Sequence, residues 1–401
     1  MDRFDSCRQA LAALCVLCTA ACAEREPDAA IRIDSAGVQI VQSTSAAWLP
    51  GDEWYVAPEP VVRLGNVEDD HSSHFFRILD VALLADGDVI VVDGGSSEVR
   101  RYDATGRHLW SAGGTGDGPG EFWSQRYLGR RDDGAFLIWD RSLSRLSVVG
   151  ESGQLIATER RSFGGSAIVA QAVFDDGTWL VTFPATLSAP EAGVAWLDTI
   201  ALWRYDPAWE NRVRLARIVG GRWIWTGRHM LPVPFSPRPL WATYGTRLAV
   251  ATGPDAEVSV HDVDGSLVTR YRIARDRRAV AESEVTRVIE SLVELGQSGA
   301  GAAVWRDWRD RIEVPRYEPA FDRLLADRDG TFWARRFESD PLSREPPTWD
   351  VLDPTGVYLG SVSTPGGLTV LSIRDGLLAG VYRDELGVEY VRVHRVVRRK
   401  R

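Results

Sequence analysis

Short apolar or alternating runs, separated by turn-forming residues, recur along most of the chain. In segment 78–112 the runs Val89–Val92 and Val99–Tyr102 are each followed or preceded by a turn that ends in glycine, at Gly87 and Gly106. Short runs bounded by Asp, Gly and Ser are typical of β-strands joined by tight turns, and glycine supplies the positive φ that such turns need. The pattern predicts an all-β chain.

The same pattern repeats in units of about 45 residues, with longer connections between some of them. Six copies are recognisable by the glycine of their first turn: Gly87, Gly134, Gly177, Gly245, Gly330 and Gly376. In the first two copies a second turn glycine follows 19 residues later, and in the fourth copy 20 residues later. Repeated four-stranded units of this size predict a six-bladed β-propeller. Trp139, Trp179 and Trp333 occupy the strand after the first turn and are expected to pack between sheets.

The sixth copy lacks one strand before the chain ends. We expect Gly37–Val41 to supply it and to close the ring without a covalent link. The predicted organisation is therefore a signal peptide at 1–21, a linker with the ring-closing strand at 22–48, the propeller at 49–397 and a basic tail at 398–401 that extends into solvent.

One segment between the fourth and fifth copies has helical rather than strand periodicity. Five apolar residues in 279–297 fall on one helical face: Val285, Val288, Ile289, Leu292 and Leu295. This pattern predicts a short helical insertion that packs on the propeller. Two longer connections, 183–200 and 209–239, are where a ligand preference is expected, because long loops in compact domains are often functional.

The N-terminus has the features of an export signal. Ala10–Ala21 is a run of 12 apolar or small residues after two arginines, which is too short to span a membrane and fits the apolar core of a secretory signal. Thr19–Cys22 resembles the bacterial lipobox, which implies that Cys22 becomes the lipid-modified first residue of the mature protein. Ordinary cleavage within Ala21-Cys22-Ala23 is the alternative.

Composition excludes several kinds of function. All 4 cysteines lie in the first 22 residues, which excludes a disulfide framework, Cys-ligated zinc, an iron–sulfur cluster or a catalytic cysteine in the body of the chain. The formal charge of −9 argues against nucleic-acid binding. The glycine run Gly113–Gly120 has no Gly-Lys-Ser/Thr ending and Pro119 interrupts it, so a phosphate-binding loop is not expected. We expect no cofactor.

The glycine run carries a family resemblance instead. Gly113–Phe122 resembles the linker between blades of NHL-repeat propellers, and Asp93 and Asp140 match the aspartate that ends a strand in that family. The chain is also similar to uncharacterised bacterial six-bladed β-propeller lipoproteins, which share an exported N-terminus and an early strand like Ser35–Val41. The resemblance implies a six-bladed propeller on an exported chain.

Four residues are candidates for a ligand or metal loop. His71 and His74 follow Asp69 and Asp70, and this spacing of imidazoles and carboxylates could bind a divalent metal, although a solvated loop is the favoured interpretation because no third histidine lies nearby. Asp93 and Asp140 end equivalent strands. They are expected either to accept backbone N–H groups in Asx-type turns or to form part of a carboxylate ring for Ca²⁺ near the channel.

These observations favour an exported cell-envelope protein that binds a protein, peptide or carbohydrate through loops at one mouth of the propeller. The expected protein is a monomer that does not bind nucleic acid and reaches a membrane only through its lipid. The alternative function, which the resemblance implies, is a metal-assisted hydrolase or lyase that acts on sugar lactones or polysaccharide fragments. No residue could be assigned to catalysis.

Overall fold

The structure, a computed structural model, describes residues 30–65, 74–163, 166–183, 191, 193–226, 230–295, 305, 311–340 and 343–398. Within these ranges the chain is all-β with one α-helix. Four short N-terminal strands come first: β1 (Ala30–Ser35), β2 (Val38–Ser43), β3 (Tyr55–Val56) and β4 (Val62–Leu64).

Six antiparallel sheets follow in chain order. The first sheet contains β5 (Ile78–Leu83), β6 (Val89–Asp93), β7 (Glu98–Tyr102) and β8 (His108–Gly113). The second contains β9 (Gln125–Arg130), β10 (Phe136–Asp140), β11 (Arg145–Val149) and β12 (Leu155–Arg160). A two-stranded ribbon, β13 (Ser162–Phe163) and β14 (Ser166–Ala167), leads to the third sheet, with β15 (Val169–Val173), β16 (Trp179–Thr182), β17 (Ala195–Tyr205), β18 (Arg212–Trp225) and β19 (Met230–Pro232).

The fourth sheet contains β20 (Leu240–Tyr244), β21 (Arg247–Ala251), β22 (Glu257–His261) and β23 (Leu267–Ile273). The helix α1 (Glu282–Leu295) precedes the fifth sheet, with β24 (Phe321–Ala326), β25 (Phe332–Arg336), β26 (Thr348–Leu352) and β27 (Tyr358–Ser363). The sixth contains β28 (Leu368–Arg374), β29 (Leu377–Arg383) and β30 (Glu389–Val397).

The first strand of each sheet is its inner strand. Inner strands contact one another between the first and second, second and third, fourth and fifth, and fifth and sixth sheets, and β28 of the last sheet contacts β5 of the first. Residues from all six inner strands line one central cavity. Small antiparallel sheets that surround a shared channel make the fold propeller-like.

The core lies between adjacent sheets. Phe122, fully buried, packs between the first and second sheets with Trp110 and Phe136. Trp139, Trp179 and Trp333 are at most 6% exposed, which confirms that these tryptophans pack between sheets. Each pair of sheets is therefore held by large side chains rather than by covalent links.

The expected ring-closing strand is wrong. Val38–Ser43 forms a hairpin with β1 through a tight turn at Ala36–Gly37. Its other edge pairs in parallel with β23 of the fourth sheet. The outer position of the sixth sheet is occupied by β3 and β4, which pair with β30. Val62 and Leu64 are each 5% exposed and belong to one buried cluster with residues of the first and sixth sheets, so this segment has the apolar contacts that the earlier strand lacks there.

The helical insertion is confirmed, with α1 at 282–295. Val288 and Ile289 are buried, as the apolar face requires. Leu292 and Val293 pack against Ile224 and Leu231 of the third sheet. The long connections predicted at 183–200 and 209–239 contain most of β17 and β18, which extend the third sheet well beyond the others.

Arg398, the first residue of the predicted basic tail, contacts the protein rather than extending into solvent. The guanidinium of Arg398 lies 4.3 Å from the ring centre of Trp54 and within 4.0 Å of an Asp327 carboxylate oxygen. Residues 399–401 lie outside the described ranges. Among the described helices, none has the length and apolar character needed to span a membrane.

Candidate functional site

Strand direction divides the connections between two faces of the molecule. Because successive strands are antiparallel, the first and third turns of every sheet lie at one end, and the second turns and the links between sheets lie at the other. On the first end, the short-turn face, the connections contain two to six residues. On the opposite end, the long-connection face, five connections have 11 residues or more: 65–77, 114–124, 183–194, 274–320 and 337–347.

The central cavity, the channel, has a volume of about 1180 Å³ and reaches the turns of the short-turn face. Each sheet contributes its inner strand to the wall, through residues that include Asp80, Tyr127, Val173, Thr243, Ala326 and Ser372. Five of the six inner strands contain a β-bulge, for example between Ile78 and Asp80 in the first sheet. A bulge shifts the alternation of side chains, so these strands direct polar groups towards the channel.

Four polar side chains form what we term the channel cluster: Asp80, which lines the channel, Arg126 and Arg323, which lie near Asp80, and Gln171, which bonds to Arg126. They lie on the inner strands of the first, second, third and fifth sheets. Arg126 Nη1 donates to Gln171 Oε1 at 2.6 Å, and Gln171 Nε2 donates to Thr182 Oγ1 at 2.8 Å. Arg126 and Arg323 both lie close enough to Asp80 to lower its pKa electrostatically.

Burial dominates the chemistry of Asp80. Loss of hydration raises the pKa of its carboxyl to about 6, against the opposing effects of Arg126, the Val81 N–H and Arg323. The Val81 N–H donates to Asp80 Oδ1 at 3.0 Å. Within the described ranges no guanidinium forms an ion pair with this carboxylate, so the channel leaves its charge unmatched at close range.

Arg323 is unpaired in the same way. Its Nε is buried and has no hydrogen-bond partner among the described residues, and none of its nitrogens forms an ion pair there. Burial lowers the pKa of Arg323, and the neighbouring Arg335 adds to this effect, while Asp322 and Asp80 oppose it. An arginine without a partner carries five N–H donors, which match a carboxylate or another oxyanion.

Two exposed aromatic side chains stand on the long-connection face. Phe76 is 75% exposed and Trp123 is 51% exposed. Each lies two residues before the start of an inner strand, four residues from Asp80 and three residues from Arg126, respectively. At about 3.3 Å per residue, their backbones lie within roughly 13 Å of the channel cluster.

Asp93 and Asp140 position these two aromatic residues. Asp93 Oδ1 accepts the N–H of Phe76 at 3.3 Å and that of Gly95 at 2.9 Å. Asp140 Oδ2 accepts the N–H of Trp123 at 2.6 Å, and its Oδ1 accepts that of Leu143 at 2.9 Å. The Asx-turn interpretation of both aspartates is therefore confirmed. Each aspartate also holds the backbone of the aromatic residue that precedes the adjacent inner strand.

The glycine linker explains how Trp123 comes to be exposed. Phe122 N donates to the Gly114 carbonyl at 2.7 Å, and Gly118 N donates to Glu121 Oε2 at 2.8 Å, so the linker folds back on itself. A Cβ on Gly113 would lie 2.5 Å from the Ser97 carbonyl oxygen, at a φ of 127°, so glycine is required there. With Phe122 anchored in the core, the next side chain faces outward, where Trp123 Nε1 donates to Asp117 at 2.8 Å.

Two of the four candidate residues for a ligand or metal loop, His74 and Asp93, lie together in the structure. His74 and Asp93 line one surface pocket of about 580 Å³ with Phe76, Glu98 and Arg100. Arg100 Nη1 donates to the His74 carbonyl at 2.8 Å, and Arg100 Nη2 lies 3.3 Å from Asp93 Oδ2. Asp140 occupies the equivalent position in the second sheet, and His71 and Cys22 lie outside the described residues. No three His, Cys, Asp or Glu residues of the described ranges are grouped as metal ligands.

Comparison with known proteins identifies the fold. No family model and no curated protein matches the chain. A Bacteroides fragilis protein described as exported matches with a TM-score of 0.50 and 10% identity, over 90% of this chain and 100% of its own. A member of the DUF4221 family from Bacteroides vulgatus matches with a TM-score of 0.50 and 12% identity, over 87% of this chain and 99% of its own.

A gluconolactonase from Xanthomonas campestris is more distant, with a TM-score of 0.42 and 15% identity, over 79% of this chain and 85% of its own. At these identities the comparisons show the fold alone, which is all-β and propeller-like.

Proposed function

We propose that this chain is an exported six-bladed β-propeller that binds a carbohydrate or peptide ligand at its long-connection face. The observation that carries the proposal is the pair of exposed aromatic residues, Phe76 and Trp123, whose backbones are held by buried aspartates at equivalent positions ahead of two inner strands. Exposed rigid aromatic side chains give large contact area at low entropic cost, and they are typical of recognition surfaces.

The six sheets are the six blades in this proposal. The contact between β28 and β5 supports a closed ring, and β4 supplies apolar contacts where the first and last blades meet. The insertions then extend only one rim. Loops carried on a rigid scaffold are where binding residues concentrate, which favours this rim as the binding surface.

Export and lipid attachment complete the proposal. The apolar run Ala10–Ala21 followed by Cys22 supports a lipoprotein signal, and the matching Bacteroides fragilis protein is described as exported. Attachment at Cys22 would place the propeller at a membrane surface in the cell envelope. Metabolic labelling with a fatty-acid analogue tests it, since Cys22→Ser should abolish the label and Cys18→Ser should retain it.

Binding is tested with the purified chain against an immobilised panel of glycans and peptides. We expect at least one class of ligand to be retained, and Trp123→Ala or Phe76→Ala to weaken its retention about tenfold. Ile156→Ala is the matched control, because Ile156 is equally exposed but lies on the outer strand of the second sheet. Retention that both aromatic variants leave unchanged would contradict the proposed surface.

A further inference from the structure

The channel cluster combines charges that the protein itself does not neutralise. Arg101 and Arg100 elsewhere in the first sheet pair with carboxylates at 2.8 to 3.3 Å. By contrast, Arg323 has no partner among the described residues, and Arg126 donates only to the neutral amide of Gln171. Keeping an arginine unpaired in a partly buried wall is costly, so a feature of this kind points to a group that arrives from outside.

The balance of charge around Arg323 indicates the sign of that group. Arg335 and Arg238 both act on Arg323 electrostatically, and Arg126 faces the same part of the channel through Asp80. Arg335 is already engaged with Asp322. Among these neighbours the remaining cations, Arg126, Arg238 and Arg323, outnumber the single carboxylate of Asp80, which favours an anion next to Arg323.

The neighbouring groups indicate what else the ligand carries. Gln171 and Asp80 present planar amide and carboxyl groups, which suit hydroxyl groups that both donate and accept hydrogen bonds. Phe76 and Trp123 provide exposed ring faces within about 13 Å of these groups. A sugar ring that bears a carboxylate combines the anion, the hydroxyl groups and an apolar face that packs on an aromatic ring.

We propose that the channel cluster binds the carboxylate of an acidic saccharide, with Arg323 and Arg126 as the anion-binding residues and Trp123 and Phe76 against the sugar. This inference rests on the proposed binding function and names its ligand class. Arg323 supplies the paired N–H donors that a carboxylate accepts, and Arg126 is held in place by Gln171. Asp80 limits the affinity while it is ionised.

The test is a calorimetric titration of the purified chain with uronic-acid trisaccharides, namely trigalacturonate, triglucuronate and trimannuronate. The methyl ester of each trisaccharide is the matched ligand control, because it keeps the ring and removes the charge. We expect at least one acid to bind, its ester to bind about tenfold or more weakly, and Arg323→Gln to cause a similar loss. Arg107→Gln, at an exposed turn of the short-turn face, should leave the affinity unchanged.

Other results overturn the inference in distinguishable ways. Equal binding of acid and ester, or an unchanged affinity of Arg323→Gln, contradicts the carboxylate site, whereas a loss on Trp123→Ala in the same experiment keeps the proposed function. Tighter binding of triglutamate or of a sulfated trisaccharide assigns the site to a peptide or to a different anion. If neither the trisaccharides nor any member of the wider panel binds, the proposed function fails as well. The unfolding temperature of each variant is measured alongside, to establish that the variant is folded.

Discussion

The two ends of the channel treat their charged residues differently. On the short-turn face, Arg101 donates to Asp88 and Glu151 at 2.8 Å and to Asp86 at 3.2 Å, and Arg130 pairs with Glu151 as well. Farther into the channel, Asp80 and Arg323 have no ion pair within the described part of the chain. The first set of charges joins the first and second sheets, whereas the second set leaves its donors available.

The pKa values follow the same division. Hydrogen bonds from Arg101 and Arg130 lower the pKa of Glu151, whereas burial raises that of Asp80 to about 6. A carboxylate that its partners stabilise contributes to folding, and one that burial destabilises opposes it. The short-turn face therefore stabilises the contact between the first two sheets, whereas the buried charges of Asp80 and Arg323 cost stability. Under our proposal an anionic ligand would offset the cost at Arg323.

The largest expected effect is the loss of the arginine that joins the first two sheets. Arg101→Ala should lower the free energy of unfolding by about 3 kcal/mol, because it leaves the nearly buried Asp88 without its partner. Urea denaturation measures the change. Arg107→Ala is the control, since its ion pair with Asp103 is exposed and should contribute less than about 1 kcal/mol. Equal changes in the free energy of unfolding for the two variants would contradict a structural role for the ion pairs of Arg101.

Closure of the ring predicts a similar cost at Leu64. Leu64→Ala should destabilise by about 2 to 4 kcal/mol, because its side chain is buried in the apolar cluster shared by the first and sixth sheets. Ile33→Ala, on the exposed N-terminal hairpin, should change stability by less than about 0.5 kcal/mol. Thermal unfolding of both variants distinguishes β4 from the N-terminal hairpin as the closing segment.

At the channel cluster, removal of a charge should stabilise the protein. The folded pKa of Asp80, about 6, lies above the ordinary value of 3.8, so ionisation costs stability as pH rises from 4 to 6 and the full penalty is present at pH 7.5. Asp80→Asn should therefore raise the free energy of unfolding by about 2 kcal/mol at pH 7.5 and have little effect at pH 4. Denaturation at both pH values measures this, with Asp132→Asn as a surface control. A less stable variant at pH 7.5 would contradict the unpaired state of Asp80.

The smallest effect on stability is expected at the aromatic rim. Trp123→Ala should cost at most about 1 kcal/mol, because half of the side chain is exposed and it makes one hydrogen bond to Asp117. Its neighbour Phe122 is the matched contrast, since Phe122→Ala empties a fully buried position and should cost about 3 to 5 kcal/mol. A large loss of stability in Trp123→Ala would mean that Trp123 is a packing residue.

The repeated turns explain why the sheets could be predicted from the sequence. Gly87, Gly134 and Gly330 all have φ between 86° and 87°, so each turn requires glycine and marks the end of an inner strand. The helix was predictable for a similar reason, because its apolar face alone contacts the third sheet. Local periodicity specifies both features.

The closing segment and the channel cluster had no comparable local signal. Tyr55–Val56 and Val62–Leu64 are too short to show a period, and their partner β30 lies more than 300 residues away. Asp80 and Arg323 follow bulges, where one extra residue changes the face to which the alternation assigns a side chain. Asp93 and Asp140 were found from the repeat, but only the neighbouring strands show that they hold Phe76 and Trp123.

The most direct test compares one arginine from each region in the same titration. Arg323→Gln and Arg101→Ala are measured against the uronic-acid trisaccharide that binds best, at a temperature where both variants are folded. We predict that Arg323→Gln loses about tenfold or more in affinity with little loss of stability, whereas Arg101→Ala is destabilised and binds within about twofold of the natural chain. Unchanged affinity in Arg323→Gln, with a loss in Arg101→Ala, would contradict this prediction.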